Sequence, residues 1–126
     1  MNENTLTLIN QKVKEFAFLD FSIFEYRHNE LVIAISTDFT YYHLFEIRFK
    51  NVFSVICNTL WSVDTQKDVI KVVDSTEAYD LNVQYGVEVG YSIFQLMNED
   101  ELELYVIAES VEFRDHVVKY FDDRNE

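Results

Sequence analysis

From Tyr79 to Ile93 every odd-numbered residue is apolar and every even-numbered residue is polar or glycine. Period two marks a strand with one buried face, whereas a helix would spread the same side chains around its circumference. The alternation predicts one long strand, or two strands joined by a bend or bulge near Gly86.

A hairpin follows from the same pattern. Asn98-Glu99-Asp100-Glu101 reads as a four-residue loop, and residues 102–108 (LELYVIA) as the returning strand. Pairing across that loop sets Met97 opposite Leu102, Ile93 opposite Val106 and Tyr91 opposite Ala108 on the core face. The other face then pairs Leu96 with Glu103, Phe94 with Tyr105 and Ser92 with Ile107, which is an apolar patch inside a ring of carboxylates. A register slip of one residue would exchange the two faces.

Further strands are expected upstream. Leu19, Phe21 and Ile23 alternate with Asp20 and Ser22. Residues 31–37 (LVIAIST) are apolar on both faces. In 43–50, His43, Phe45, Ile47 and Phe49 point one way and Glu46, Arg48 and Lys50 the other. Residues 52–57 and 69–73 are further β-prone runs. Leu6, Ile9, Val13 and Phe16 form one stripe of a 3.6-residue period, so the chain opens with a helix, capped by Asn4. The tail, 111–121, reads as a strand becoming a short helix. Strands in series with a helix at one end predict an α+β fold that is predominantly antiparallel β, as a sheet or as a two-layer or partly closed barrel. No linker composition interrupts residues 1–126, so one globular domain is expected.

Charge restricts the function. Residues 72–113 contain no lysine or arginine and carry ten carboxylates. Residues 1–63 hold 7 acids and 5 bases, and residues 64–126 hold 16 acids and 5 bases. Nucleic acid is a poor partner for such a surface, because counterion release needs clustered cations. A basic protein is a good one. The single Cys57 cannot form an internal disulfide, and it reads as a small buried hydrophobe in a reducing compartment. No signal peptide or membrane span is read, since the apolar run 16–24 is short and broken by Asp20 and Ser22. The expected location is cytoplasmic.

Chemistry-bearing motifs are absent from the sequence. His28, His43 and His116 lack metal-ligand spacing, and 98–103 lacks the ligand positions of a calcium loop, so no metal or cofactor is expected. His43 reads as a half-buried strand residue. Two glycines cannot build a phosphate cradle, and no nucleophile elbow occurs. Trp61 beside Asp64 reads either as a pocket wall or as buried surface under a loop. No enzymatic activity is expected.

The segments LFEIRFKNVFSV (44–55), LWSVD (60–64) and LELYVIAESVEF (102–113) resemble small acidic bacterial proteins found beside polymorphic toxin genes, and related families of low-GC Gram-positive bacteria. The resemblance implies an immunity-type protein that binds and blocks a cognate toxin without catalysis. It carries no binding residue over to this chain. From the residues themselves, the expected partner surface comprises Glu88, Phe94, Glu99, Asp100, Glu101, Glu103, Tyr105 and Glu109, with aromatic anchors inside an acidic rim. Two alternatives stand beside this reading. One is a small-molecule-binding β-rich domain. The other is a homo-oligomeric subunit that pairs through Phe94 and Tyr105.

Overall fold

A computed structural model describes residues 2–121 of the chain. The fold is α+β and predominantly antiparallel. Its elements are α1 (Asn2–Val13), β1 (Leu19–Arg27), β2 (Glu30–Ser36), β3 (Tyr42–His43), β4 (Phe45–Ile56), β5 (Leu60–Val63), β6 (Ile70–Val72), α2 (Ser75–Tyr85), β7 (Ser92–Leu96), β8 (Leu104–Arg114) and β9 (Val118–Lys119). Seven strands form one curled sheet, a half-barrel in the order β5-β1-β2-β4-β8-β7-β6. β3 and β9 pair as a separate two-stranded layer.

The curl comes from β4 and β8, which pair along most of their lengths. Phe45, Ile47 and Phe49 face the core as the alternation predicts, and the parity then changes. Asn51 takes a left-handed φ of 51°, Val52 returns to the core, and a bulge between Val52 and Ser54 brings in Val55. The change on β8 falls between Ala108 and Val111. Asn51 Nδ2 donates to Glu109 Oε2 at 2.7 Å across this irregularity. Bulges raise local twist, so the two long strands wrap around the apolar filling instead of lying flat. The β-prone run 52–57 is not a separate strand: its residues up to Ile56 continue β4, and Cys57 lies just beyond.

α1 closes the concave side. Its predicted stripe of Leu6, Ile9 and Val13 is buried, and Phe16 packs at its edge. The helix starts before the expected cap at Asn4. Asn10 joins this helix to the sheet. Its Oδ1 accepts from Val69 N–H at 2.8 Å and Ile70 N–H at 3.3 Å, and its Nδ2 donates to Ile70 C=O at 3.0 Å. The side-chain amide thus supplies the backbone partners that β6 lacks on its free edge.

The long strand predicted over 79–93 is not formed. Residues 75–85 are helical, and β7 begins only at Ser92. End signals outweigh the alternation. Asp74 Oδ1 accepts from Thr76 N–H and Glu77 N–H at 3.2 Å each. Gly86 adopts φ 66°, and its N–H and that of Val87 return to Asn82 C=O. An N-cap aspartate with a glutamate three residues on, then a left-handed glycine, specifies a helix from both ends. The sheet leaves this helix half uncovered, so Ala78 and Leu81 pack inward while Tyr79 and Val83 are exposed.

The β7–β8 register also differs by one residue. Ser92 pairs with Ala108, Ile93 with Ile107, Phe94 with Val106, Gln95 with Tyr105 and Leu96 with Leu104. The connection runs over residues 97–103, longer than the four residues expected. Phe94 and Leu96 therefore join the main core, and Ile93, Tyr105 and Ile107 face the other way under α2. Among the described residues the tail forms β9 and no helix, and residues 122–126 lie outside them.

Asn10→Ala leaves the buried Val69 N–H without an acceptor, so a loss of about 1–3 kcal/mol is expected in chemical denaturation at neutral pH. A change near zero would mean that Asn10 does not hold β6.

Candidate protein-binding surface

The residues expected to form one recognition surface are divided by the fold. Glu99, Asp100, Glu101 and Glu103 lie in the 97–103 connection, beyond Leu96 and Leu104. Glu88 and Glu109 lie at the opposite end of the hairpin, where Ser92 pairs with Ala108. All six carboxylate side chains are exposed. Phe94 is fully buried and Tyr105 nearly so, on opposite faces of the sheet. The expectation of two exposed aromatic anchors is corrected on this point. The one-residue register difference separates them, and α2 covers the face that retains Tyr105.

The 97–103 connection is built around Asn98. Its Oδ1 accepts from Leu102 N–H at 2.9 Å, and its Nδ2 donates to Leu102 C=O at 2.9 Å. Glu101 occupies the left-handed region with φ 56°. Glu99 N–H bonds Ser62 C=O at 2.9 Å, and Met97 N–H bonds Val69 C=O at 3.0 Å. These bonds draw the connection against the loop between β5 and β6. That loop is shaped by Asp64, whose carboxylate accepts from Gln66 N–H at 3.0 Å.

Between the two loops lies a groove of about 400 Å³, lined by Asp64, Asp68, Glu101 and Glu103 together with Lys67 and Gln95. An adjoining depression of about 290 Å³ shares Asp64, Lys67 and Glu101 and adds Glu99. Lys67 reaches Asp64 only at 4.0 Å and is mostly solvated, and Lys14 approaches Asp68 at 3.0 Å from outside the groove. Lys71 sits across the strand pair from Gln95. Gln95 Oε1 is buried without a donor from any described residue. The groove thus offers an excess of acceptors over donors, a chemistry suited to ammonium or guanidinium groups.

α2 packs on the same face of β7 and β8. The Tyr105 hydroxyl donates to Glu77 Oε1 at 3.1 Å. Burial, reinforced by that carboxylate, pushes the phenol up to about 12. Tyr79 and Val83, four residues apart on the helix, are each 68% exposed. They place apolar area on a segment without any cation.

A second polar feature lies on the convex side. Tyr120 Oη is 2.9 Å from His43 Nδ1, and His43 Nε2 is 2.6 Å from Glu46 Oε2. Glu46 Oε1 accepts from Arg48, which also reaches Glu30 at 3.2 Å, and Lys50 Nζ donates to Glu30 at 2.8 Å. His43 and Glu46 are buried, and Phe24 lies edge-on over the imidazole. His43 was expected to be half-buried and aligned with Phe45. It lies instead in β3 and points into the layer that covers the convex face. With both ring nitrogens engaged and no exposed surface, it serves as a clamp between β3, β4 and the tail. The predicted alternation of Glu46, Arg48 and Lys50 on one face is observed, but their non-local partners had no sequence signal.

Burial alone would raise the Glu46 carboxyl, and the bonds from His43 and Arg48 outweigh it and hold it low. Glu30 is lowered chiefly by its bond from Lys50, against a smaller opposing effect of burial. Trp61 is buried against Phe21 and does not line the groove. Burial raises the Cys57 thiol to about 11, which disfavours the thiolate. Among the described residues no group of three or more His, Cys, Asp or Glu side chains is placed to hold a metal, and no helix is long and apolar enough to cross a membrane.

Comparison with the models of known protein families, with curated proteins and with solved structures found no match.

Both glutamates ionise more easily in the folded chain than in isolation, so their stabilisation is present above the ordinary value of 4.5 and is lost as pH falls through the lower folded values. Glu46→Gln removes the charge that the buried ends of His43 and Arg48 face. A loss of about 3 kcal/mol is expected at neutral pH, with a shallower acid dependence than in the parent chain. Urea titrations over a pH series would test this, and an unchanged acid profile would contradict it.

Proposed function

We propose that this chain is a non-catalytic acidic module that binds a basic protein, with the groove between the β5–β6 loop and the 97–103 connection receiving lysine or arginine side chains. One observation carries the reading. Four carboxylates and the Gln95 amide line a concavity whose own lining cation, Lys67, is loosely held, while Lys14 pairs with Asp68 from outside and Lys71 sits across from Gln95 at its margin. An incoming cation gains several acceptors at once, and the groove walls lower the local dielectric relative to bulk water. The exposed Tyr79 and Val83 of α2 supply further apolar contact area outside the groove itself. Glu88 and Glu109, at the far end of the hairpin, act through long-range field and not through direct contact.

Inhibition of a toxin, the role that the resemblance implies, is the form of binding that this chemistry suits. A basic nuclease-like domain would present cations to the groove, and a stoichiometric blocker needs no reactive centre of its own. Pairing of two copies through Phe94 and Tyr105 finds no support, because both rings are buried. The small-molecule reading finds little in the concave side of the sheet, which Phe21, Phe45, Phe49, Phe94 and α1 fill.

Capture from the native host with the full chain as bait is expected to recover a basic protein. Its association is expected to slow by about ten- to a hundredfold at low salt in the variant E99K/D100K/E101K/E103K, with the difference shrinking as salt rises. Stopped-flow fluorescence would measure both. Recovery of no basic protein, or an association rate indifferent to the four reversals, would overturn the proposal.

A further inference from the structure

β1 is paired unequally on its two sides. β2 runs beside it from Asp20 to Arg27, with a bulge that leaves Phe24 unpaired and regular pairing resuming at Glu25. On the other side β5 covers only Leu19 to Ser22, and the last contact is Ile23 N–H to Thr59 C=O at 2.9 Å. Residues 24–27 have no strand neighbour on that side among the described residues. Such an edge is a template for another strand.

Its register is well fixed. His28 and Asn29 take φ of 52° and 62°, so a two-residue primed turn joins β1 to β2 with Arg27 opposite Glu30. In that geometry the residues flanking the turn exchange backbone bonds. Arg27 and Glu25 therefore direct their backbone groups to β2, while Tyr26 directs its N–H and C=O to the open side.

The side chains of this edge match a copy of themselves. Antiparallel pairing centred on Tyr26 sets Tyr26 against Tyr26 of a second copy, with both backbone bonds exchanged. The same pairing sets Glu25 opposite Arg27 of the second copy, and Arg27 opposite Glu25. Both residues are exposed, and neither makes an ion pair within the described residues of its own chain. On the opposite face Tyr26 lines an apolar groove of about 340 Å³ with Ile23, Leu31, Val52, Phe53 and Val55. Tyr26 is 53% and Phe53 39% exposed. A second Tyr26 ring across the pair would cover part of this groove.

We infer that the 24–27 edge of β1 is a self-pairing surface, at which two copies of this chain join their sheets across a two-fold axis through Tyr26. The charge complementarity is isologous, as a two-fold interface requires. The surface is separate from the acidic groove, so dimerisation and partner binding stand or fall independently.

The test is sedimentation velocity on the full chain from micromolar to millimolar concentration, with circular dichroism to show that each variant is folded. The parent chain is expected to pass from monomer to dimer over this range. Glu25→Arg and Arg27→Glu, each alone, place like charges opposite each other twice and are expected to weaken dimerisation by about tenfold or more. An equimolar mixture of the two folded single variants restores both opposite-charge pairs and is expected to form a heterodimer. A parent chain that stays monomeric at millimolar concentration would overturn the inference. So would single variants that dimerise like the parent, or a mixture that gains nothing over its components.

Discussion

The fold depends on the β4–β8 pairing and on where it breaks step. Two long strands that kept strict alternation would make a ribbon with only the ordinary twist and the same face buried throughout. Here both change parity, β4 between Phe49 and Val52 and β8 between Ala108 and Val111. The turn in the ribbon lets Phe45, Ile47 and Phe49 share one concave core with Val106, Val111 and the α1 stripe. Asn2 at the head of α1 meets the same irregularity, accepting from Val111 N–H at 3.3 Å, so the helix and the curl are fastened at one place.

The convex side is held in two ways: by apolar packing under α2 at the β7–β8 end, and by a polar cluster under the β3–β9 layer. Glu46 projects from the middle of the sheet beneath the β3–β9 layer and is enclosed by His43, Arg48 and Tyr120. A buried carboxylate is tolerated because each oxygen has a charged or polar donor, and removing one donor would expose the cost of desolvation. This linked set of bonds ties the tail to the sheet although β9 contributes only two residues.

The legible part of the fold was the part set by local pattern. The α1 stripe, the alternation of Phe45, Ile47 and Phe49 against Glu46, Arg48 and Lys50, and the antiparallel strand class could all be read from spacing. The stretch 79–93 was misread because period two in hydrophobicity competed with Asp74, Glu77 and Gly86, whose caps decide backbone conformation directly. The register of the hairpin was missed by one residue, because Phe94 and Ile93 are equally apolar and only the covering helix distinguishes the faces. Glu99, Asp100, Glu101 and Glu103 were read as surface acids, and they are. Their companions Asp64 and Asp68 come from a distant loop, and the missing donor at the buried Gln95 oxygen is a consequence of the fold that spacing does not signal. No local pattern could reveal such a convergence.

The proposed recognition surface rests on that hairpin register, which places Gln95 on the face of the acidic groove while Phe94 goes into the core. Cross-strand nuclear Overhauser contacts in the isotope-labelled chain measure it directly. Contacts are expected between Ile93 and Ile107 and between Gln95 and Tyr105, with Leu81 of α2 close to that face. Contacts that pair Phe94 directly with Tyr105, without any from α2, would contradict it.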